Sequence, residues 1–129
     1  SAPAAVVLYA LLHPVPYYAS ACWDRIYVQS VSQQAESLEI TDPDAVRALI
    51  DHLNTVSFRR ALRLSHEAPD HLRAVFYVRD GTVAGHDIWL CSMSGGGFSV
   101  YVWDGCRLLT AYGAAPLCDF LLQLTDAAE

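Results

Sequence analysis

Lysine is absent from this chain of 129 residues, and all eight of its basic residues are arginine. Several enzyme classes depend on the lysine amine: nucleotide hydrolases with a phosphate-binding loop, kinases, Schiff-base enzymes and the Ser-x-x-Lys acylases. The lack of lysine excludes these classes. The net charge of −6 also argues against a nucleic-acid partner, because binding to phosphates needs a basic surface.

Long apolar runs and the short motifs of several catalysts are missing as well. The longest apolar run, residues 4–12, stops at His13-Pro14, well short of the roughly 18–20 residues needed to cross a bilayer. No Gly-x-Ser-x-Gly elbow is present, and nothing in the sequence places a base beside a nucleophile. We therefore expect a domain that is not an enzyme, needs no cofactor and has no transmembrane segment.

The four cysteines, Cys22, Cys91, Cys106 and Cys118, show no Cys-x-x-Cys spacing, which excludes a zinc knuckle and a thioredoxin-like motif. Their even number allows two disulfides in any of three pairings. Four free thiols, acting as small core residues, are an equally good interpretation. The predicted strands place Cys91 and Cys106 roughly 14 Å apart, whereas a disulfide needs Cα atoms within about 7 Å, so this pair should not be bonded.

Alternation of apolar and polar residues predicts a series of β-strands along the chain. Asp80-Gly81-Thr82 provides one turn, and Asp104-Gly105 predicts a two-residue type I′ hairpin, which needs positive φ at both positions. Ser57–His71 fits either a strand or a loop. The predicted strands are Val6–Leu12, Asp24–Ser32, Leu38–Ile40, Arg73–Arg79, a strand with Ile88 and Leu90 on one face, a strand with Phe98, Val100 and Val102 on one face, and Cys106–Tyr112.

Two amphipathic helices are predicted in addition. Thr41-Asp42-Pro43-Asp44 combines a capping side chain with proline at the first helical position, and this helix should run to about Val56. The second helix should begin near Pro116. Their apolar stripes are Val46, Leu49, Ile50 and Leu53 in the first, and Leu117, Phe120, Leu121 and Leu124 in the second. The sequence thus predicts one α+β domain over residues 1–129, an antiparallel β-meander packed with two amphipathic helices.

Aromatic residues recur on one predicted face of the sheet. If the aliphatic residues of these strands face the helices, then four aromatic residues share the opposite face: Tyr77, Trp89, Tyr101 and Trp103. Such a cluster would suit a protein, peptide or glycan partner. The alternative is that the N-terminal segment covers this face, since its own aromatic residues, Tyr17, Tyr18 and Trp23, must also pack somewhere.

Residues 66–71, His-Glu-Ala-Pro-Asp-His, place four potential metal ligands close together. The spacing differs from that of the helical zinc-protease motif, and Pro69 disfavours a continuous helix. Solvated polar residues before a strand are the simpler interpretation, so we predict no metal site. Likewise, Arg59, Arg60 and Arg63 are interpreted as a solvated basic patch.

From Asp24 onward, the order of features resembles small extracytoplasmic domains of unknown function that are common in Gram-positive gut bacteria. The resemblance covers about four-fifths of the chain. It lies in residues 24–28 (Asp-Arg-Ile-Tyr-Val), residues 40–43 (Ile-Thr-Asp-Pro) at the start of a helix, the Asp80-Gly81-Thr82 turn and the Trp103-Asp104-Gly105 hairpin. It implies a secreted or membrane-anchored domain without established catalysis, and it assigns no functional residue.

Residues 19–22, Ala-Ser-Ala-Cys, are similar to a lipoprotein processing site but follow no basic residue. We expect instead that any export signal was removed before Ser1.

Three functional hypotheses follow from these observations. The preferred one is an extracytoplasmic binding or adaptor module that uses the aromatic face. The second is a cytoplasmic inhibitor of the toxin-neutralising immunity type, because an acidic surface can complement a basic target. The third and weakest is a small metal-dependent hydrolase that uses residues 66–71. The identity of the partner and the oligomeric state do not follow from the sequence.

Overall fold

The computed structural model describes residues 4–5, 13–33, 36–61, 71–81, 85–111 and 114–129. Within these ranges, one seven-stranded antiparallel sheet and two α-helices form an α+β fold, which confirms the predicted class. The strands are β1 Arg25–Ser30, β2 Leu38–Ile40, β3 Arg59–Arg60, β4 Leu72–Arg79, β5 Gly85–Ser92, β6 Phe98–Trp103 and β7 Leu108–Ala111. The helices are α1 Pro43–Thr55 and α2 Ala115–Ala128, and a 3-10 turn covers Val31–Gln33.

The sheet has the strand order β2-β1-β4-β5-β6-β7-β3. Its centre is the predicted meander of β4, β5, β6 and β7, joined by successive antiparallel connections. The hairpin of β1 and β2 extends the meander on one side, with Val28 opposite Phe76. On the other side, β3 pairs with β7, so that Arg59 lies opposite Thr110. Part of segment 57–71, which the sequence left open between strand and loop, is therefore an edge strand. The rest of that segment from residue 62 to residue 70 lies outside the described residues, as does the predicted strand over residues 6–12.

Both helices pack on the same face of the sheet. Period-two alternation in β1, β4, β5 and β6 directs one set of aliphatic and aromatic side chains to this face, where water is excluded and apolar burial stabilises the fold. The fully buried side chains there include Ile26, Val28, Phe76, Val78, Ile88, Leu90, Val100 and Val102 from the strands, with Leu49, Leu53, Leu117 and Leu121 from the helices. The opposite face carries a second, smaller apolar cluster.

The start of α1 confirms the capping motif. The carboxylate of Asp42 accepts a hydrogen bond from the backbone N–H of Asp44 at 3.1 Å, which satisfies one of the free donors of the first turn. Pro43 occupies the first helical position, where its missing N–H costs nothing. The helix ends at Thr55 because Val56 takes an extended conformation, with φ −95° and ψ 141°.

The turn between β6 and β7 differs from the prediction. The backbone N–H of Asp104 donates to the carbonyl oxygen of Arg107 at 3.2 Å, so the two central residues are Gly105 and Cys106. Gly105 has φ +97° and Cys106 does not have positive φ, a combination that is typical of type II′ and not of type I′. Asp104 stays outside the turn because its carboxylate accepts the backbone N–H groups of Cys106 and Arg107 at 2.9 and 2.7 Å.

Candidate functional site on the aromatic face

The four predicted site residues lie on the sheet face opposite the helices. Trp89 is directly opposite Tyr101, and Asp87 links Tyr77 on one side to Trp103 on the other. Directly opposed residues of antiparallel strands project to the same side of the sheet. The predicted geometry of the face is therefore present, whereas its role in binding a partner stays a prediction.

Tyr27 belongs to the same face and was missed by the sequence analysis. It lies opposite Tyr77 in the β1–β4 pair. The indication in the sequence was its position between Ile26 and Val28, which are both fully buried on the helix side. Alternation alone would have placed the Tyr27 side chain on the face of β1 opposite the helices, but its neighbour could be identified only from the pairing of β1 with β4.

The aromatic residues differ in how much of each reaches the surface. Trp89 is only 6% exposed and forms the centre of the second apolar cluster together with Val75, Cys91 and Leu108. Tyr27, Tyr77, Tyr101 and Trp103 are half-buried. Trp89 is thus a packing residue of this face, and the half-buried aromatic residues around it are the ones that a partner could touch.

Tyr27, Tyr77 and Trp103 form what we call the aromatic row. They occupy one level of the sheet across β1, β4 and β6, with Asp87 of β5 between the last two. Since adjacent strands are about 4.8 Å apart, the row is roughly 14 Å long. This length matches about four residues of an extended peptide.

Charged groups at the row are held in place by pairing. The guanidinium of Arg79 lies 5.6 Å from the ring centre of Tyr77 and donates to the carboxylate of Asp87 at 2.9 Å. It also donates to the backbone carbonyl of His86 at 3.1 Å. Next to Tyr27, hydrogen bonds with Asp24 and with Tyr27 itself raise the pKa of Arg25. The row therefore combines apolar rings with charged groups whose orientation is restricted.

Among the described residues of the N-terminal segment, Tyr17, Tyr18 and Trp23 do not cover this face. Trp23 is buried in the core on the helix side, Tyr17 packs against the same core, and Tyr18 is 82% exposed. The covering role considered for these three side chains is therefore wrong. Tyr17 and Trp23 are instead held by ring contacts on the helix side, since the Tyr17 ring lies 4.8 Å from Phe58 and the Trp23 ring lies 4.9 Å from His86.

Tyr17 and His86 anchor the N-terminal segment to β5. The phenol oxygen of Tyr17 lies 2.8 Å from Nδ1 of His86, at hydrogen-bond distance. Burial lowers the pKa of His86, and burial together with nearby Asp104 raises the pKa of Tyr17, so both groups are neutral near pH 7. Further along the segment, the backbone N–H of Ala19 donates to Oδ1 of Asn54 at 3.0 Å. Cleavage before Cys22, as at a lipoprotein processing site, would remove these contacts.

Metal ligation finds no support in the described part of the chain, which contains no group of three or more histidine, cysteine or acidic side chains suited to a metal ion. Of the candidate segment 66–71, the described residues include His71 alone. Its side chain is exposed, its φ is +63°, and its carbonyl oxygen accepts the backbone N–H of Ser92 at 3.0 Å.

Of the predicted basic patch, Arg59 and Arg60 are exposed on the edge strand β3, and Arg63 lies outside the described residues.

None of the four cysteines forms a disulfide, in agreement with the prediction that Cys91 and Cys106 are not bonded to each other. Cys91 and Cys118 are buried in the two separate apolar clusters. Burial also raises the pKa of the Cys118 thiol, which keeps it in the less reactive neutral form. Cys22 and Cys106 are exposed.

The fold and the candidate site define an α+β domain with both helices on one face of a single antiparallel sheet and an aromatic row on the other. Comparisons of the chain with protein-family models, with curated proteins and with solved structures give no match. Among the described residues, no helix has the length and apolar character required to cross a membrane.

Proposed function

We propose that this protein is a non-enzymatic binding or adaptor module that acts outside the cytoplasm and holds a protein or peptide partner through the aromatic row. The observation that carries the proposal is the alignment of Tyr27, Tyr77 and Trp103 at one level of the sheet, on the face to which neither described helix packs. Tyrosine and tryptophan are enriched at binding interfaces, because they bury a large area while losing little conformational entropy.

The paired charges beside the row favour a specific partner over unspecific adhesion. Asp87 and Arg79 hold each other at 2.9 Å, and both side chains are half-buried. A partner that approaches the rings must present polar groups that match this fixed pair, since an unmatched buried charge is costly. The row would thus contribute affinity, and the charged pair would contribute selectivity.

The test is affinity capture with the intact chain from separate envelope and cytoplasmic fractions, followed by direct binding measurements with the purified partner. Trp103→Ala should leave folding largely intact, because the side chain is half-buried, and should weaken binding by roughly tenfold or more, as expected when a tryptophan that contacts the partner is removed. Tyr18→Ala is the matched control, since Tyr18 is an aromatic residue that is 82% exposed away from the row.

Three results would contradict the proposal. Severe unfolding of Trp103→Ala would show that Trp103 is a core residue. Equal loss of binding in Tyr18→Ala and Trp103→Ala would place the interface elsewhere. Binding to a panel of glycans, lost in Trp103→Ala and without any protein partner, would replace the protein ligand by a carbohydrate. Tyr27→Ala gives a second measurement on the row should Trp103→Ala not fold.

A cytoplasmic inhibitor of the toxin-neutralising type is the second candidate function, and the cysteines favour it. None of the four cysteines forms a disulfide, and two of them are exposed, which is typical of proteins from a reducing compartment. The net charge of −6 would also attract a basic target. Thiol titration of the protein isolated from its own cell fraction separates the candidates: four reduced thiols in the cytoplasmic fraction, with a basic protein captured there, would favour the inhibitor.

A further inference from the structure

A cleft of about 440 Å³ lies between the segment that precedes β1 and helix α1. Its volume falls in the range of small-molecule sites in proteins. The apolar part of its lining includes Trp23, Val46 and Ile50. Because α1 packs on the helix side of the sheet, the cleft is separate from the aromatic row, and its role goes beyond the function proposed above.

Three polar side chains that line the cleft are not engaged elsewhere. Thr41, Arg47 and Asp51 form no side-chain hydrogen bond and no ion pair with any other described residue. Arg47 and Asp51 are four residues apart on α1, a spacing at which opposite charges can pair, yet they do not do so. By contrast, Asp24 and Asn54, which also line the cleft, are engaged by Arg25 and by the backbone of Ala19.

The cleft therefore presents a cation and an anion, about one helical turn apart, next to an apolar wall. A guanidinium binds carboxylates through two parallel hydrogen bonds, and a carboxylate accepts charge-assisted hydrogen bonds from ammonium groups. A small ligand that carries both an ammonium group and a carboxylate can satisfy both residues at once. A ligand with a single charge would leave either Arg47 or Asp51 without a partner.

We propose that this cleft binds a small zwitterion of amino-acid to dipeptide size. In this arrangement, Arg47 holds the carboxylate, Asp51 holds the ammonium group, and the hydroxyl of Thr41 is available for a further hydrogen bond. An aliphatic ligand side chain lies against Val46 and Ile50, beside the exposed edge of Trp23. The apolar wall selects aliphatic ligands over polar ones, since burial of apolar surface is favourable only for the former.

The proposal is tested by nuclear magnetic resonance titration of the intact chain with three matched probes: L-leucine, L-leucinamide and N-acetyl-L-leucine. The first carries both charges, the second lacks the carboxylate and the third lacks the ammonium group. L-leucine should shift the backbone amide signals of Val46 and Ile50 and the indole signal of Trp23 in a saturable manner. Each of the other two probes should bind roughly tenfold more weakly or worse, because each lacks one of the two charge-assisted contacts that L-leucine makes.

Two substitutions locate the site. Arg47→Gln and Asp51→Asn should each weaken the binding of L-leucine by roughly tenfold or more, and both positions are exposed, so folding should be retained. Arg60→Gln and Asp119→Asn remove the same charges at exposed positions outside the cleft and should leave binding unchanged. Trp103→Ala should also leave it unchanged, which separates this site from the aromatic row.

Two outcomes would overturn the proposal. One is the absence of saturable shifts at these signals up to roughly 10 mM L-leucine, a concentration at which even a ligand with a Kd near 1 mM is mostly bound. The other is a lack of discrimination, seen either as equal binding of the three probes or as equal loss of binding in the cleft variants and their controls, because the two charges would then not recognise the ligand.

Discussion

Gly85 opens β5 opposite Arg79, and there is no room for a side chain at this position. A Cβ atom placed on Gly85 would overlap the carbonyl oxygen of Val78 and lie 2.9 Å from Cδ of Arg79. The Arg79 side chain cannot easily move away, because it is held by Asp87 at 2.9 Å. Gly85→Ala therefore requires β4 and β5 to separate locally.

The expected cost combines two contributions. Overpacking typically costs about 1–3 kcal/mol, and one weakened hydrogen bond between the strands adds about 1 kcal/mol, which gives about 3 kcal/mol. With an unfolding entropy of about 2.1 cal/mol/K per residue, this lowers the Tm of a chain of 129 residues by roughly 11 °C. The Tm is measured by circular dichroism, and urea denaturation provides the free energy of unfolding independently.

Gly95→Ala is the matched control for this prediction. Neither glycine has positive φ, but a Cβ on Gly95 would meet nothing within 4 Å. The substitution at Gly95 should therefore be neutral or stabilise the fold by up to about 1 kcal/mol, through reduced entropy of the unfolded chain. If both variants shift the Tm equally, or if Gly85→Ala shifts it by less than roughly 2 °C, the inferred pairing of β4 with β5 is incorrect.

Two further predictions concern pH. Hydrogen bonds from Arg73, and then from Ser30 and Ser32, lower the pKa of Glu129 from 4.5 to about 2. The stability that this carboxylate contributes should therefore decline as the pH falls from about 4.5 to about 2. The free energy of unfolding of Glu129→Gln, measured by urea titration, should lack that decline, and an unchanged pH profile would contradict the assignment. Burial lowers the pKa of His86 below 6.5 despite nearby Asp104. Protonation of His86 should therefore destabilise the fold as the pH falls below 6.5. His86→Gln should remove this loss of stability, and a loss retained in the variant would assign it to another group.

The local pattern of the sequence was sufficient for most individual elements. Alternation located β4, β5 and β6, and the Asp42-Pro43 cap located the start of α1. These properties depend on residues only a few positions apart, which is why they can be derived without tertiary contacts. The predicted type of the hairpin turn after β6 was wrong. The carboxylate of Asp104 accepts backbone N–H groups of the turn, an effect that the Asp-Gly pattern does not indicate.

The candidate site depended on longer-range information. Alternation placed Tyr77, Trp89, Tyr101 and Trp103 on one face, as the pairing of the meander shows. It could not distinguish Trp89, which is 6% exposed, from its half-buried neighbours, since burial depends on everything that surrounds a side chain. It also could not show that Tyr17 and Trp23 pack around His86 on the other face.

The sequence by itself determined most of the elements, the inward and outward sides of each central strand, and the lysine-dependent chemistries that this chain cannot perform. Only the tertiary structure decided which strands flank the predicted meander, with β1 beside β4 and β3 beside β7. Val28 and Phe76 meet across β1 and β4 although roughly fifty residues separate them, and this pairing adds Tyr27 to the aromatic row. It also decided that Arg47 and Asp51 face an open cleft. The physical reason is that side-chain direction is set by the local backbone, whereas pairing and burial are set by how the whole chain excludes water.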